Sequence, residues 1–247
     1  MQLFGCPVDA LTMAETVRRV EEIVQASEPV QHCALNAAGV VALRDDARLL
    51  DIVRECGLVS ADGQALVWAS HLLGQPVPER VAGPDLFLAL IGLAEARGWP
   101  VYLMGATPQV LEKTCVVLSE RHPKLRIAGC QDGYFSDDES DVIAEDIRGS
   151  GARMLFVAMP TPKKEYWISE HLSSLGVPFC MGVGGTYDIV SGVVRRAPTW
   201  VQRAGLEWAY RLYREPSRMW RRYVIGNTRF IGIVMGAMLR RVLDDKA

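Results

Sequence analysis

Short apolar runs alternate with longer segments of helical period from about residue 32 to residue 182. The pattern predicts strands at His32–Leu35, Gly57–Ser60, Val101–Met104, Arg126–Cys130, Met154–Ala158 and Pro178–Met181. Helices are predicted between them at Ala37–Glu55, Gln64–Leu73, Pro84–Arg97, Pro108–His122, Glu139–Gly149 and Pro162–Leu175. Two of these open on Thr-Pro (Thr107-Pro108 and Thr161-Pro162), a capping hydroxyl followed by a proline whose fixed φ suits the first helical turn. Gly74–Gly83, with Pro76 and Pro78, reads as a loop or short hairpin. Such alternation belongs to a Rossmann-like α/β fold, a mostly parallel sheet with flanking helices. From about Pro198 it stops, and a helical tail rich in Trp and Arg begins. The expected organisation is a domain at 1–195 and a basic helical appendage at 196–247.

In an open parallel sheet the ligand crevice lies beyond the carboxyl ends of the strands. The informative residues cluster there. In strand order they are Asn36, Asp62-Gly63, Gly105-Ala106-Thr107-Pro108, Asp132-Gly133-Tyr134-Phe135, Met159-Pro160-Thr161-Pro162 and Gly182-Val183-Gly184-Gly185-Thr186-Tyr187-Asp188. One such turn is ordinary; six in the same topological place make a site.

Composition narrows the class. The 247 residues are 49% hydrophobic and 23% charged, which excludes a disordered chain, a collagen-like repeat and a disulfide mini-protein. The net charge of −2 hides an asymmetry: the stretch from Arg195 to Arg241 holds eleven Arg, no Lys and two acids (+9), leaving −11 for the remainder. An acidic body with a basic tail argues for an anionic partner of the tail and against a general nucleic-acid binder. The six cysteines are dispersed, as free thiols in a reducing compartment are. No secretory signal is legible, and no apolar run approaches the roughly 20 residues that span a bilayer. The expected location is cytoplasmic, on the inner face of the cell membrane.

The Gly105–Pro108 and Gly182–Asp188 turns suit backbone N–H contacts to a phosphate, and equally suit plain turns. A dinucleotide fingerprint fails, because its third small residue would be Tyr187. Asp62 reads as a helix cap, an Asx-turn or a general base, and its place on the rim favours the base. Arg80, in Glu79-Arg80-Val81-Ala82-Gly83, can pair with a phosphate or lie on the surface. Lys163-Lys164-Glu165 sets cations in a first helical turn, against the helix dipole unless an anion compensates. The four His lack metal-ligand spacing, and Asp-x-Asp, Gly-x-Ser-x-Gly and His-Glu-x-x-His are all missing. No metal ion or other cofactor is expected. In the tail, Arg211, Arg214, Arg218, Arg222, Arg229 and Arg240 would share one face of a continuous helix, with Arg221, Trp220, Tyr210, Tyr213 and Tyr223 interleaved. This suits an anionic membrane surface, or a solvated face packed through its aromatics.

Together these blocks resemble the WecG/TagA/CpsF glycosyltransferases. The resemblance runs from about Asn36 to Tyr223. It includes Ala61-Asp62-Gly63, Glu79–Leu86, Gly105–Pro108, Asp132–Phe135, Pro160–Glu165, Gly182–Asp188, Arg196-Ala197-Pro198-x-Trp200 and Gly205-Leu206-Glu207-Trp208-x-Tyr210-Arg211. It implies an inverting, metal-independent transferase that moves a sugar from a UDP-sugar to an undecaprenyl-diphosphate-linked saccharide, a polyprenyl-diphosphate acceptor. The implied pathways build cell-surface polysaccharide or exopolysaccharide. Asp62 is the implied base, with Asn36, Arg80, Lys164 and Glu165 as its catalytic company. Gly105, Ala106, Thr107, Pro162, Gly182, Gly184, Gly185 and Asp188 are the expected nucleotide-sugar contacts. Arg196, Arg211, Arg214, Arg218, Arg221 and Arg222 are expected at the leaving group or the lipid diphosphate. Ala34 stands where members often carry a Thr, and Lys164-Glu165 where many carry Gln-Glu. The basic version is nearer to the xanthan-type, GumM-like members, making glucose a donor candidate beside N-acetylmannosamine and its uronate. Two other classes remain open: a non-catalytic subunit of a polysaccharide assembly, and a nucleotide-dependent oxidoreductase.

Overall fold

A computed structural model describes residues 1–214 and 216–244, leaving out the side chains at positions 203, 211, 218, 219, 221–224, 240, 242 and 244. The chain opens with a small hairpin, β1 (Gln2–Leu3) and β2 (Cys6–Pro7), and α1 (Met13–Ala26). The body follows as β3 (Val30–Leu35), α2 (Ala37–Asp45), α3 (Ala47–Glu55), β4 (Leu58–Ala61), α4 (Gln64–Leu72), α5 (Gly83–Arg97), β5 (Val101–Gly105), α6 (Pro108–Arg121) and β6 (Ile127–Gln131). After a short 3-10 turn come α7 (Ser140–Gly149), β7 (Met154–Ala158), α8 (Lys163–Leu175), β8 (Phe179–Gly182) and α9 (Thr186–Val190). The appendage is α10 (Thr199–Arg203), α11 (Glu207–Arg214) and α12 (Pro216–Asp244).

Strands β3 to β8 form one parallel sheet in the order β4-β3-β8-β7-β5-β6. The chain winds outward from β3 to β4, crosses to build β5 and β6, and then inserts β7 and β8 between. The winding direction therefore reverses beside β3, where an α/β crevice opens. Strands β5 and β7 are buried at every position, as sheets covered on both faces require. One face packs on α1, α5, α6 and α9, with Phe87 edge-on to Phe156 at 4.9 Å. The other packs on α7 and α8 at one end. At its other end lie α2, α3, α4 and the hairpin, joined there by Phe230 and Val234 of α12.

The alternation read from the sequence is therefore the real architecture, with two corrections. Ala37–Glu55 is two helices, because the Asp46 carboxylate accepts the Leu49 N–H at 3.0 Å and starts α3 afresh. Thr107 caps its helix, but Thr161 does not: the Thr161-Pro162 bond is cis, α8 starts after Pro162 without a side-chain cap, and the hydroxyl turns to Glu165. In the tail, a turn at Ala204–Leu206 separates α10 from α11. Residue 215, between Arg214 and Pro216, and with it the shared face expected for Arg211, Arg214, Arg218, Arg222, Arg229 and Arg240, lies outside the described residues.

Candidate active site

All six strand ends named from the sequence open on the same rim. Asp62 continues β4 by one residue, its N–H donating to Leu35 O at 2.8 Å. Its Oδ1 accepts the backbone N–H of Gly83 at 2.9 Å, and its Oδ2 is 3.5 Å from Asn36 Nδ2. Gly83 begins α5, so Asp62 satisfies one of the N–H groups that a helix leaves unpaired at its start. Asn36 caps α2 through the Gly39 N–H at 3.1 Å. Asp62 does not cap α4, the helix that follows it, which starts behind Gly63 with no side-chain cap; the N–H it takes belongs to the start of α5. Its carboxylate is held across the crevice instead, with Oδ2 on the long Asn36 contact.

At the neighbouring strand end, Lys164 Nζ bonds both Thr161 Oγ1 and Glu165 Oε1, and Thr161 donates to Glu165 at 3.0 Å. The side chains are 12% and 10% exposed, and Glu165 Oε2 is buried with no partner. The dipole conflict in this first turn is thus compensated inside the protein by Glu165, while Lys163 sits over the Phe135 ring at 5.1 Å. The aliphatic stem of Lys164 crosses β8 at Gly182, where a Cβ would come within 2.8 Å of it. Beneath both groups lies Cys33, whose thiol is pushed up to about 12, chiefly by burial and next by the Glu165 carboxylate. His32, on β3 below them, is held down to about 3 by burial, with Nε2 2.9 Å from Ser60 Oγ.

Gly105 has φ +102°, and its Cα runs so close to the Ala158 carbonyl that any Cβ would collide. The turn is extended by Ala106 (φ +60°), whose carbonyl accepts the Gly133 N–H at 2.9 Å, and by Thr107 at the start of α6. With strands about 4.8 Å apart, this turn lies roughly 19 Å along the rim from Asp62. Pro162 is exposed beside it, and Tyr134 is 74% exposed at the mouth. Gly184 and Gly185 form the turn between β8 and α9, and Asp188 is half-buried on α9. Among the described residues no group of three His, Cys, Asp or Glu is placed to hold a metal ion.

Arg80 Nη1 lies 3.3 Å from Glu207 Oε2 of α11. Arg196 grips Asp85 with both terminal nitrogens, at 2.5 and 2.7 Å, which holds its guanidinium more firmly charged than usual. Both arginines therefore face protein carboxylates. Arg214 is exposed on α11. The side chains of Arg211, Arg218, Arg221 and Arg222 lie outside the described set. The partners Glu207 and Asp85 were not singled out in the sequence, although each sits inside a motif that was; the signal was a lone acid among the first tail arginines.

A family model described as Glycosyl transferase WecG/TagA/CpsF family matches residues 1–243. That match takes in the rim residues and the appendage alike. The chain belongs to the WecG/TagA/CpsF family of glycosyltransferases, enzymes of cell-surface polysaccharide synthesis.

Proposed function

We propose that the protein is an inverting, metal-independent hexosyltransferase that carries a sugar from a UDP-sugar to an undecaprenyl-diphosphate-linked saccharide, with Asp62 as general base. The carrying observation is the Asp62 carboxylate at the rim, fixed through Oδ1 to Gly83 and turned by Oδ2 toward Asn36. The base takes the proton of the acceptor hydroxyl, whose oxygen attacks the anomeric carbon opposite the departing UDP. Such a base contributes roughly 10²–10⁴-fold. As the bond to UDP breaks, charge develops on the diphosphate, and fixed donors stabilise it best when already in place. Lys164, locked against Thr161 and Glu165, and Arg80 are the cations, with N–H groups from the Gly182–Gly185 turn, while the more distant Gly105–Thr107 turn contacts the nucleotide. Asp188 contacts the nucleotide. Glucose, N-acetylmannosamine and its uronate are the candidate donors.

The appendage brings the lipid-linked acceptor to this rim, with its arginines against lipid or acceptor phosphates. No helix among the described residues is long and apolar enough to cross a membrane. Support for a peripheral contact comes from α12. It docks through Phe230, Val234 and the Arg229–Asp45 pair, and turns Ile231, Met235, Leu239 and Leu243, each more than half exposed, away from the body. That i, i+4 stripe is the apolar face of a helix lying in a membrane surface.

A panel of UDP-sugars tested with a synthetic prenyl-diphosphate-saccharide acceptor checks the reading. UDP release with one donor, coupled to elongation of the acceptor, is expected. A non-catalytic subunit releases no UDP with any donor, and an oxidoreductase binds a dinucleotide instead.

A further inference from the structure

The ion-pair chain Arg80–Glu207–Arg196–Asp85 joins the body to the appendage beside Asp62. Glu207 Oε2 is 3.3 Å from Arg80 Nη1, and Glu207 Oε1 is 3.7 Å from Arg196 Nε. The three side chains are 16%, 16% and 18% exposed, so little water screens them. Asp85 already takes both terminal nitrogens of Arg196. Arg196 is thus committed to the body, whereas Glu207 is the counter-ion of Arg80. The contacts of Glu207 with Arg80 and Arg196 are longer than the 2.7–2.9 Å usual for a charge-assisted hydrogen bond. Within this quartet the charges sum to zero, so Glu207 offsets Arg80 in the field that an arriving diphosphate meets.

We infer that Glu207 is a positioning residue that the appendage lends to Arg80: it holds the guanidinium at the rim and yields it when the donor's diphosphate arrives. The inference rests on the reading that the diphosphate meets Arg80. Two anions that compete for one cation are linked, so each weakens the other by the same factor. Donor binding then loosens α11 at the moment the acceptor must enter, and a seated appendage lowers donor affinity.

The test uses the full chain with UDP as probe, by calorimetry, in wild type, Glu207→Gln, Arg80→Gln and the double variant. Removing a negative charge this close to an anion site strengthens UDP binding about ten-fold. The donor KM should fall with it, while kcat also falls because the appendage is held less firmly. A residue with a merely structural role would weaken binding or leave it alone. Glu207→Asp, which keeps the charge and shortens the reach, should tighten UDP by a smaller factor and carries the test should the Gln variant not fold. UDP should also speed proteolysis between Pro198 and Arg214 in the wild type. Unchanged or weaker UDP binding in both Glu207 variants overturns the inference, as does equal tightening of UDP by Glu207→Gln in the Arg80→Gln background. If Arg80→Gln alone leaves UDP affinity unchanged, the diphosphate does not meet Arg80, and that part of the functional reading fails by itself.

Discussion

Asp62 Oδ1 accepts the backbone N–H of Gly83 at 2.9 Å, a bond that closes a 21-residue separation and ties the end of β4 to the start of α5. It leaves Oδ2 toward Asn36. A Cβ at Gly83 meets nothing within 4 Å, so Gly83→Ala should keep transfer activity within about two-fold. Proline is accepted in the first turn of a helix but has no N–H. Gly83→Pro should therefore lower kcat roughly ten-fold, the worth of a hydrogen bond to a charged group, with little loss of thermal stability. Equal activity of the two variants would show that the bond does not orient Asp62.

The Lys164–Glu165 pair is nearly buried, and Glu165 Oε2 has no partner. Lys164→Met strands a buried carboxylate and should cost about 3–5 kcal/mol in denaturant unfolding. Lys164→Met combined with Glu165→Leu removes both charges and should recover most of that stability, yet not the activity. Recovery of transfer in the double variant would remove Lys164 from the leaving-group role.

His32 contributes a pH dependence of stability that can be read separately. Burial holds its pKa at about 3 in the fold, below the ordinary 6.5. Above pH 6.5 neither state carries the proton and His32 adds no slope. Between 6.5 and 3 the unfolded chain takes up a proton that the native chain does not, so stability falls as the pH drops. The slope from this residue is about 1.4 kcal/mol per pH unit. Unfolding curves from pH 7 to pH 4 should be flatter by that amount in His32→Gln; parallel curves would mean that His32 is protonated in the fold.

Truncating the appendage is a poor probe of membrane contact, because Phe230 and Val234 complete a core cluster and their loss exposes it. Met235→Glu and Leu239→Glu alter only the outer face, where these side chains are 59% and 64% exposed. The double variant should bind vesicles containing anionic lipid at least ten-fold more weakly, at unchanged melting temperature. Undiminished vesicle binding would assign the contact to another surface.

The sheet and its functional rim were legible because each strand is a short apolar run ending in turn chemistry, a local signal. The helix α1 was missed although Thr12 and Glu15 form a capping box, since it precedes the first strand and stands outside the alternation. The break at Asp46 is hidden by apolar periodicity that continues through it. Thr161 has the local grammar of a cap, but the Lys164–Glu165 pair claims its hydroxyl. The Arg80–Glu207 pair joins residues 127 apart, and no local pattern announces such a contact. Local order is written locally; the counter-ions of the site are set by how the appendage folds back.

The role of Asp62 is tested most directly by comparing Asp62→Asn with wild type for sugar transfer from the active UDP-sugar to the prenyl-diphosphate acceptor. The amide keeps the Gly83 bond and the size of the side chain but cannot take a proton. Turnover lower by about 10²–10⁴-fold, with UDP affinity and melting temperature unchanged, is the expected result. Turnover within a few-fold of wild type would contradict it and place the base elsewhere on the rim.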